Sequence, residues 1–127
     1  MEKGLVLCDT NIIIEFYKDN STVIDQLKRI GSEKLVISSV TAAELIAGAF
    51  NSEELNIIIK DIEKLSVIHL DKQISRIFIE LMRRFNLSHN LGIPDALIAS
   101  TCLRYNLPLY TLNRKDFRYI PDVKLFN

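Results

Sequence analysis

Short apolar runs alternate along this chain with stripes of helical spacing, and that alternation limits the fold more than any other feature. Gly4 to Cys8, Leu35-Val36-Ile37, Leu65 to Leu70 and Leu109-Tyr110-Thr111 read as strands, with Val123-Lys124-Leu125 as a last edge strand. Between them lie helical segments. Ile12 to Tyr17 suits a helix, and Val23, Ile24, Leu27 and Ile30 form an amphipathic stripe that Gly31-Ser32 ends. Thr41 to Glu44 opens a helix carrying Leu45, Ile46 and Ala49, and Leu55, Ile58, Ile59 and Ile62 mark the next. Ile74 to Phe85 keeps helical spacing after a capping Asp71, and Asn86 to Gly92 reads as a loop. Pro94 suits the first turn of a helix running through Asp95 to Tyr105 that is apolar on nearly all sides, and so buried. Strands alternating with helices predict an α/β fold, its short, mainly parallel sheet covered on both faces.

A length of 127 residues points to a single domain, residues 1–127, large enough for a real core. Sixteen basic residues balance sixteen acidic ones, which argues against a protein that coats nucleic acid by net charge alone. Met1-Glu2-Lys3 leads straight into the first strand, which reads as no signal peptide, and no apolar run approaches membrane-spanning length. Cys8 and Cys102 are far apart and sit among apolar neighbours, the pattern of buried free thiols in a reducing cytoplasm. Phe16 and Tyr17 are expected in the core, and His69 within the third strand.

Three acids, Asp9, Glu44 and Asp95, stand out because their neighbours are apolar. Each has a structural explanation. Asp9 or Asn11 caps the helix that follows. Thr41-x-x-Glu44 is a formal capping box, in which the glutamate reaches back to the Thr41 amide. Asp95 lies in a first helical turn, where negative charge is favoured. Together they say more. Asp9 ends a strand, while Glu44 and Asp95 open helices, and in a parallel sheet those positions share one edge. Like charges at ~4 Å repel by ~4 kcal/mol at an effective dielectric of about 20, so such a cluster calls for a cation or raised pKa values. Oxygen donors without His or Cys suit Mg²⁺ or Mn²⁺.

The motifs Leu7-Cys8-Asp9-Thr10-Asn11, Val40 to Leu45 and Ile93 to Ala99 resemble those of the PIN-domain ribonucleases, most of all the VapC-type toxins of toxin–antitoxin pairs. A fourth segment, Leu109 to Phe117, resembles the final strand and active-site turn of that family, so the likeness covers essentially the whole chain in order. It implies a PIN-like three-layer α/β/α sandwich and metal-dependent hydrolysis of RNA by Mg²⁺ or Mn²⁺. It implies Asp9, Glu44 and Asp95 as metal ligands, a homodimer and a small cognate antitoxin. The fourth segment departs from the fully acidic pattern, with Asn113 where many members carry an acid. Asp116, three residues on, is the candidate to supply that charge.

Around the acids, Thr10 and Asn11 stand to hydrogen-bond the Asp9 carboxylate or a water on the metal. Arg114, Lys115, Arg118 and His89 are candidates for RNA contact, whereas Arg83 reads as a surface charge. Two histidines are too few for a metal-free ribonuclease built on paired general acid–base groups. Three other readings compete. One is a PIN nuclease that processes RNA without being a toxin, and another is a catalytically weak PIN domain that binds RNA or protein. The third, a phosphatase with a strand-end aspartate nucleophile, would want a second acid two residues after Asp9, where Asn11 stands. Asp9→Asn is expected to abolish cleavage and to leave the fold intact or stabilised without metal.

Overall fold

The computed structural model describes residues 4–127; Met1-Glu2-Lys3, read above as the lead into the first strand, lies outside them. Four short strands form one sheet: β1 (Val6–Cys8), β2 (Leu35–Ser38), β3 (Ser66–Ile68) and β4 (Leu109–Tyr110). Their order is β3-β2-β1-β4 and every pairing is parallel, with Leu7 beside Val36 and Cys8 beside Tyr110. The helices are α1 (Thr10–Tyr17), α2 (Ser21–Ile30), α3 (Ser39–Ala47), α4 (Ser52–Lys64), α5 (Lys72–His89) and α6 (Ile93–Tyr105).

Alternation along the strands sorts the core into two halves. Leu7, Val36 and Leu109 point to one face, where they meet Ile74 and Leu81 of α5 and Ile98, Ala99 and Cys102 of α6. Val6, Cys8, Leu35, Ile37 and Tyr110 point to the other, against Ile12, Val23, Leu45 and Ile58 of α1 to α4. The result is the expected α/β/α sandwich, α1 to α4 on one side and α5 and α6 on the other.

Local chemistry sets the joints. Asn20, Asn51 and Asp71 cap α2, α4 and α5 through their side-chain oxygens. Gly31, at φ 93°, takes the positive φ that turns the chain from α2 toward β2.

Several expectations change. Residues 86–89 continue α5 instead of forming a loop, and the helix ends at Asn90 in the left-handed conformation, φ 54°. Polar residues had broken the apolar stripe without breaking the helix. Among the described residues, Val123 to Leu125 makes only one parallel bridge, Leu109 with Leu125, and no fifth strand forms. His69 lies beyond β3 and is exposed. Phe16 and Tyr17 are 45% and 40% exposed. They line an apolar groove of about 480 Å³ with Ile24, Leu27 and Leu65. The Tyr17 hydroxyl donates to Asp61 at 2.6 Å.

Candidate active site

The parallel register brings the ends of β1 and β4 side by side. The Asp9 amide donates to the Tyr110 carbonyl at 2.9 Å, so Asp9 and Thr111 leave the sheet together. Asp9 is 5% exposed and is the N-cap of α1, its Oδ1 accepting from the Thr10 amide at 2.8 Å. Its other oxygen, Oδ2, accepts from the Thr111 hydroxyl at 2.8 Å and from Asn11 Nδ2 at 3.3 Å. Capping and a place in the acid cluster are thus one arrangement, not rivals. Asn11 is no cap. It stands inside α1, its Oδ1 accepting from the Leu112 amide at 3.3 Å, and so ties α1 to the segment after β4.

Glu44 does not complete a capping box. The cap of α3 is Ser38, whose buried hydroxyl accepts from the Val40 and Thr41 amides at 3.0 and 3.3 Å. That leaves Glu44 exposed within the helix, one Oε accepting from the Thr10 hydroxyl at 2.7 Å. The Thr10 and Thr41 hydroxyls are 2.9 Å apart. With the Thr10 hydrogen directed at Glu44, the buried Thr41 hydroxyl donates to Thr10, a relay that ends on the glutamate.

Asp95 sits in the first turn of α6 and is half-buried. Burial, then repulsion from Asp9, Asp116 and Glu44, pushes its carboxyl up to about 6. Asp9 is also raised, mainly by burial, with bonds from Thr111 and Thr10 opposing and Glu44 and Asp116 adding to the rise. These mutual effects mark four carboxylates as neighbours at one edge: the three expected ones and Asp116.

Asn113 is exposed. Its amide donates to the Thr111 hydroxyl oxygen at 3.0 Å and its carbonyl accepts from the Asp116 amide at 3.0 Å, so its backbone shapes the turn that presents Asp116. From sequence Thr41 reads only as a helix cap and Thr111 only as a strand residue, although both lie within the second and fourth motifs.

Among the described residues, no three His, Cys, Asp or Glu side chains already stand as a finished metal-holding group. The chemistry of the donors nevertheless fits a hard divalent ion, since Mg²⁺ keeps several waters and needs only one or two direct carboxylates. Glu44, held by a single hydroxyl and exposed, is free to reorient toward it.

The cations are less concentrated. Arg114, Lys115 and Arg118 are exposed. Arg114 Nη1 donates to the Phe126 carbonyl at 3.1 Å, which gives it a structural partner. Lys115 lines a hollow with His89, Asp95, Asp116 and Tyr119. Arg83, as expected, is an exposed charge, paired with Glu80 at 2.6 Å.

The profile of the family described as PIN domain matches residues 6–123. Ribonuclease VapC1 of Haemophilus influenzae is 31% identical over 94% of this chain and 95% of its own length. Ribonuclease VapC1 of Methanocaldococcus jannaschii is 28% identical over 98% and 87%. Among solved structures, VapBC2 from Rickettsia felis bound to a DNA fragment from its promoter superposes with a TM-score of 0.81 at 26% identity, covering 97% of this chain and 98% of that one. A toxin–antitoxin complex from Klebsiella pneumoniae gives 0.79 at 27%, covering 93% and 94%. This chain belongs to the PIN domain family, with VapC ribonucleases among its relatives.

Proposed function

We propose that this chain is an endoribonuclease dependent on Mg²⁺ or Mn²⁺, hydrolysing RNA phosphodiester bonds, and that it is the toxin of a VapBC-type pair. The observation that carries this reading is the meeting of Asp9, Glu44, Asp95 and Asp116 at the carboxyl edge of a parallel sheet, where burial and the neighbouring charges raise Asp9 and Asp95. Asp9, Glu44 and Asp95 would hold the ion, with Asp116 supplying the fourth charge where Asn113 does not. A divalent ion bound there supplies neutralising charge for the phosphate and acidifies water for attack on phosphorus.

The chain's own contribution is positional. Thr111 and Thr10 hold the Asp9 carboxylate from both oxygens, and the Thr41–Thr10 relay keeps Glu44 within reach of the same edge. Relatives known as ribonucleases and as members of toxin–antitoxin complexes support this activity and a cognate antitoxin as partner. A homodimer is what the same resemblance implies, and a cytoplasmic setting rests on the two buried free thiols, Cys8 and Cys102. Among the described residues, no helix is long and apolar enough to cross a membrane.

The test is cleavage of total cellular RNA by purified, antitoxin-free protein with Mg²⁺ or Mn²⁺ against EDTA, beside Asp9→Asn. Cleavage that requires both the ion and Asp9 supports the nuclease, and mapped ends identify its RNA. Folded protein that neither binds Mn²⁺ nor cleaves would overturn the reading in favour of a binding domain. Growth arrest on expression, lost with Asp9→Asn, separates a toxin from a processing nuclease.

A further inference from the structure

Three rings meet where α5 ends beside the acids. His89, the last residue of α5, stacks almost parallel on Tyr119, with centroids 4.0 Å apart and planes 9° apart. Phe85, one turn earlier, sets an edge against both rings, at 5.7 Å from His89 and 5.2 Å from Tyr119. The Ser88 hydroxyl lies 2.8 Å from His89 Nδ1. The imidazole is therefore held on one face by Tyr119, at an edge by Phe85 and at a nitrogen by Ser88, yet His89 remains exposed. A flat ring fixed in place with accessible surface is what a stacking partner needs, because little side-chain freedom is left to lose.

The surroundings narrow the partner. His89 and Tyr119 line a hollow of about 120 Å³ together with Leu91, Asp95, Lys115 and Asp116. Asp95 and Asp116 both act on the Tyr119 phenol, which burial and their charge raise above its ordinary value, so the stack adjoins the acid cluster directly. A phosphate lying in the hollow away from an ion on Asp9, Glu44 and Asp95 would be repelled by Asp116. An uncharged nucleobase would not, and its N–H groups would find acceptors there. Lys115 supplies the ammonium in this lining, for the phosphate that follows.

We propose that the His89–Tyr119 stack seats the nucleobase next to the cleaved bond, with Lys115 on the neighbouring phosphate. The inference rests on the nuclease reading above and adds a subsite to it. Stacking of this kind tolerates every base, since each has a π-face, and contributes about tenfold or more in affinity per base.

The experiment measures binding of a labelled single-stranded RNA spanning the mapped cleavage site to Asp9→Asn protein, which leaves the strand whole. His89→Ala should weaken binding about tenfold, whereas His89→Trp and Tyr119→Phe, which keep a ring, should retain it. Replacing nucleotides one at a time by abasic ones gives a second readout. One position should cost Asp9→Asn protein about tenfold and cost the His89→Ala version nothing more, a coupling that a merely structural role would not produce. Unchanged affinity in His89→Ala protein of normal melting temperature would overturn the subsite, as would abasic losses identical in both proteins. If wild-type protein cleaves with Mn²⁺ while these results fail, the subsite alone falls. If wild-type protein neither cleaves nor binds RNA, the nuclease reading falls and takes the subsite with it.

Discussion

Asp9 and Asp95 bring the same charge to the same edge, but the chain treats them differently. Asp9 is surrounded by donors from Thr10, Asn11 and Thr111. An amide there would turn an N–H toward groups that donate, so Asp9→Asn removes repulsion and also breaks bonds. Any stabilisation from relieved charge therefore belongs at Asp95, which burial and three like charges raise with no opposing hydrogen bond. The sign is definite. A carboxyl raised to about 6 costs the folded state when ionised, so this group's contribution improves as pH falls through 6 and levels off below the ordinary carboxylate range. Asp95→Asn should raise the metal-free melting temperature at pH 7.5 by about 3 °C, from ~1 kcal/mol after discounting for its exposure. The gain should vanish near pH 4, and added Mn²⁺ should stabilise wild type but not the variant. Melting curves at the two pH values, with and without the ion, check this. No gain at pH 7.5 would mean the four charges are already screened.

At the scale of the element, α3 shows how a correct residue can be selected for an incomplete reason. Thr41-x-x-Glu44 has the spacing of a capping box, but Ser38 ends β2 and caps α3 three residues earlier. Spacing alone does not distinguish two hydroxyl residues that precede the same apolar stripe; the strand end decides between them. The early start carries Thr41 into the interior and Glu44 toward Thr10, so the cap sets the acid's position. Ser38→Ala should cost about 1 kcal/mol in urea denaturation. It should also reduce cleavage more than that loss of stability explains, because Glu44 moves with the first turn. Equal activity per folded molecule would show that the cap supports the helix only. The end of α5 was hidden for a related reason. Residues 86–89 carry no stripe, and the left-handed stop at Asn90 resembles any other loop asparagine in sequence.

Across the whole molecule, the sandwich and its acid edge were legible because two rules act together: apolar periodicity separates strands from helices, and parallel strands deliver their carboxyl ends to one side. Asp9, Glu44, Asp95 and Asp116 all follow from those rules and the motifs. The hydroxyl hubs did not, since Thr41 and Thr111 acquire their partners across 31 and 102 residues of chain and leave no local pattern. The ring cluster was hidden too, His89 and Tyr119 being joined only when α5 meets the turn after β4. Cys8 and Cys102 lie on opposite faces of the sheet, both buried. The Cys8 thiol is pushed up to about 12 by burial and the adjacent Asp9, and Cys102 is raised likewise. A thiolate is the reactive form, so both are silent toward alkylating reagents while the sandwich is closed. Mass-resolved iodoacetamide labelling then becomes a clock for opening each half of the core. Joint modification at one rate means the two layers part in a single event, and faster labelling of one thiol identifies the layer that opens first.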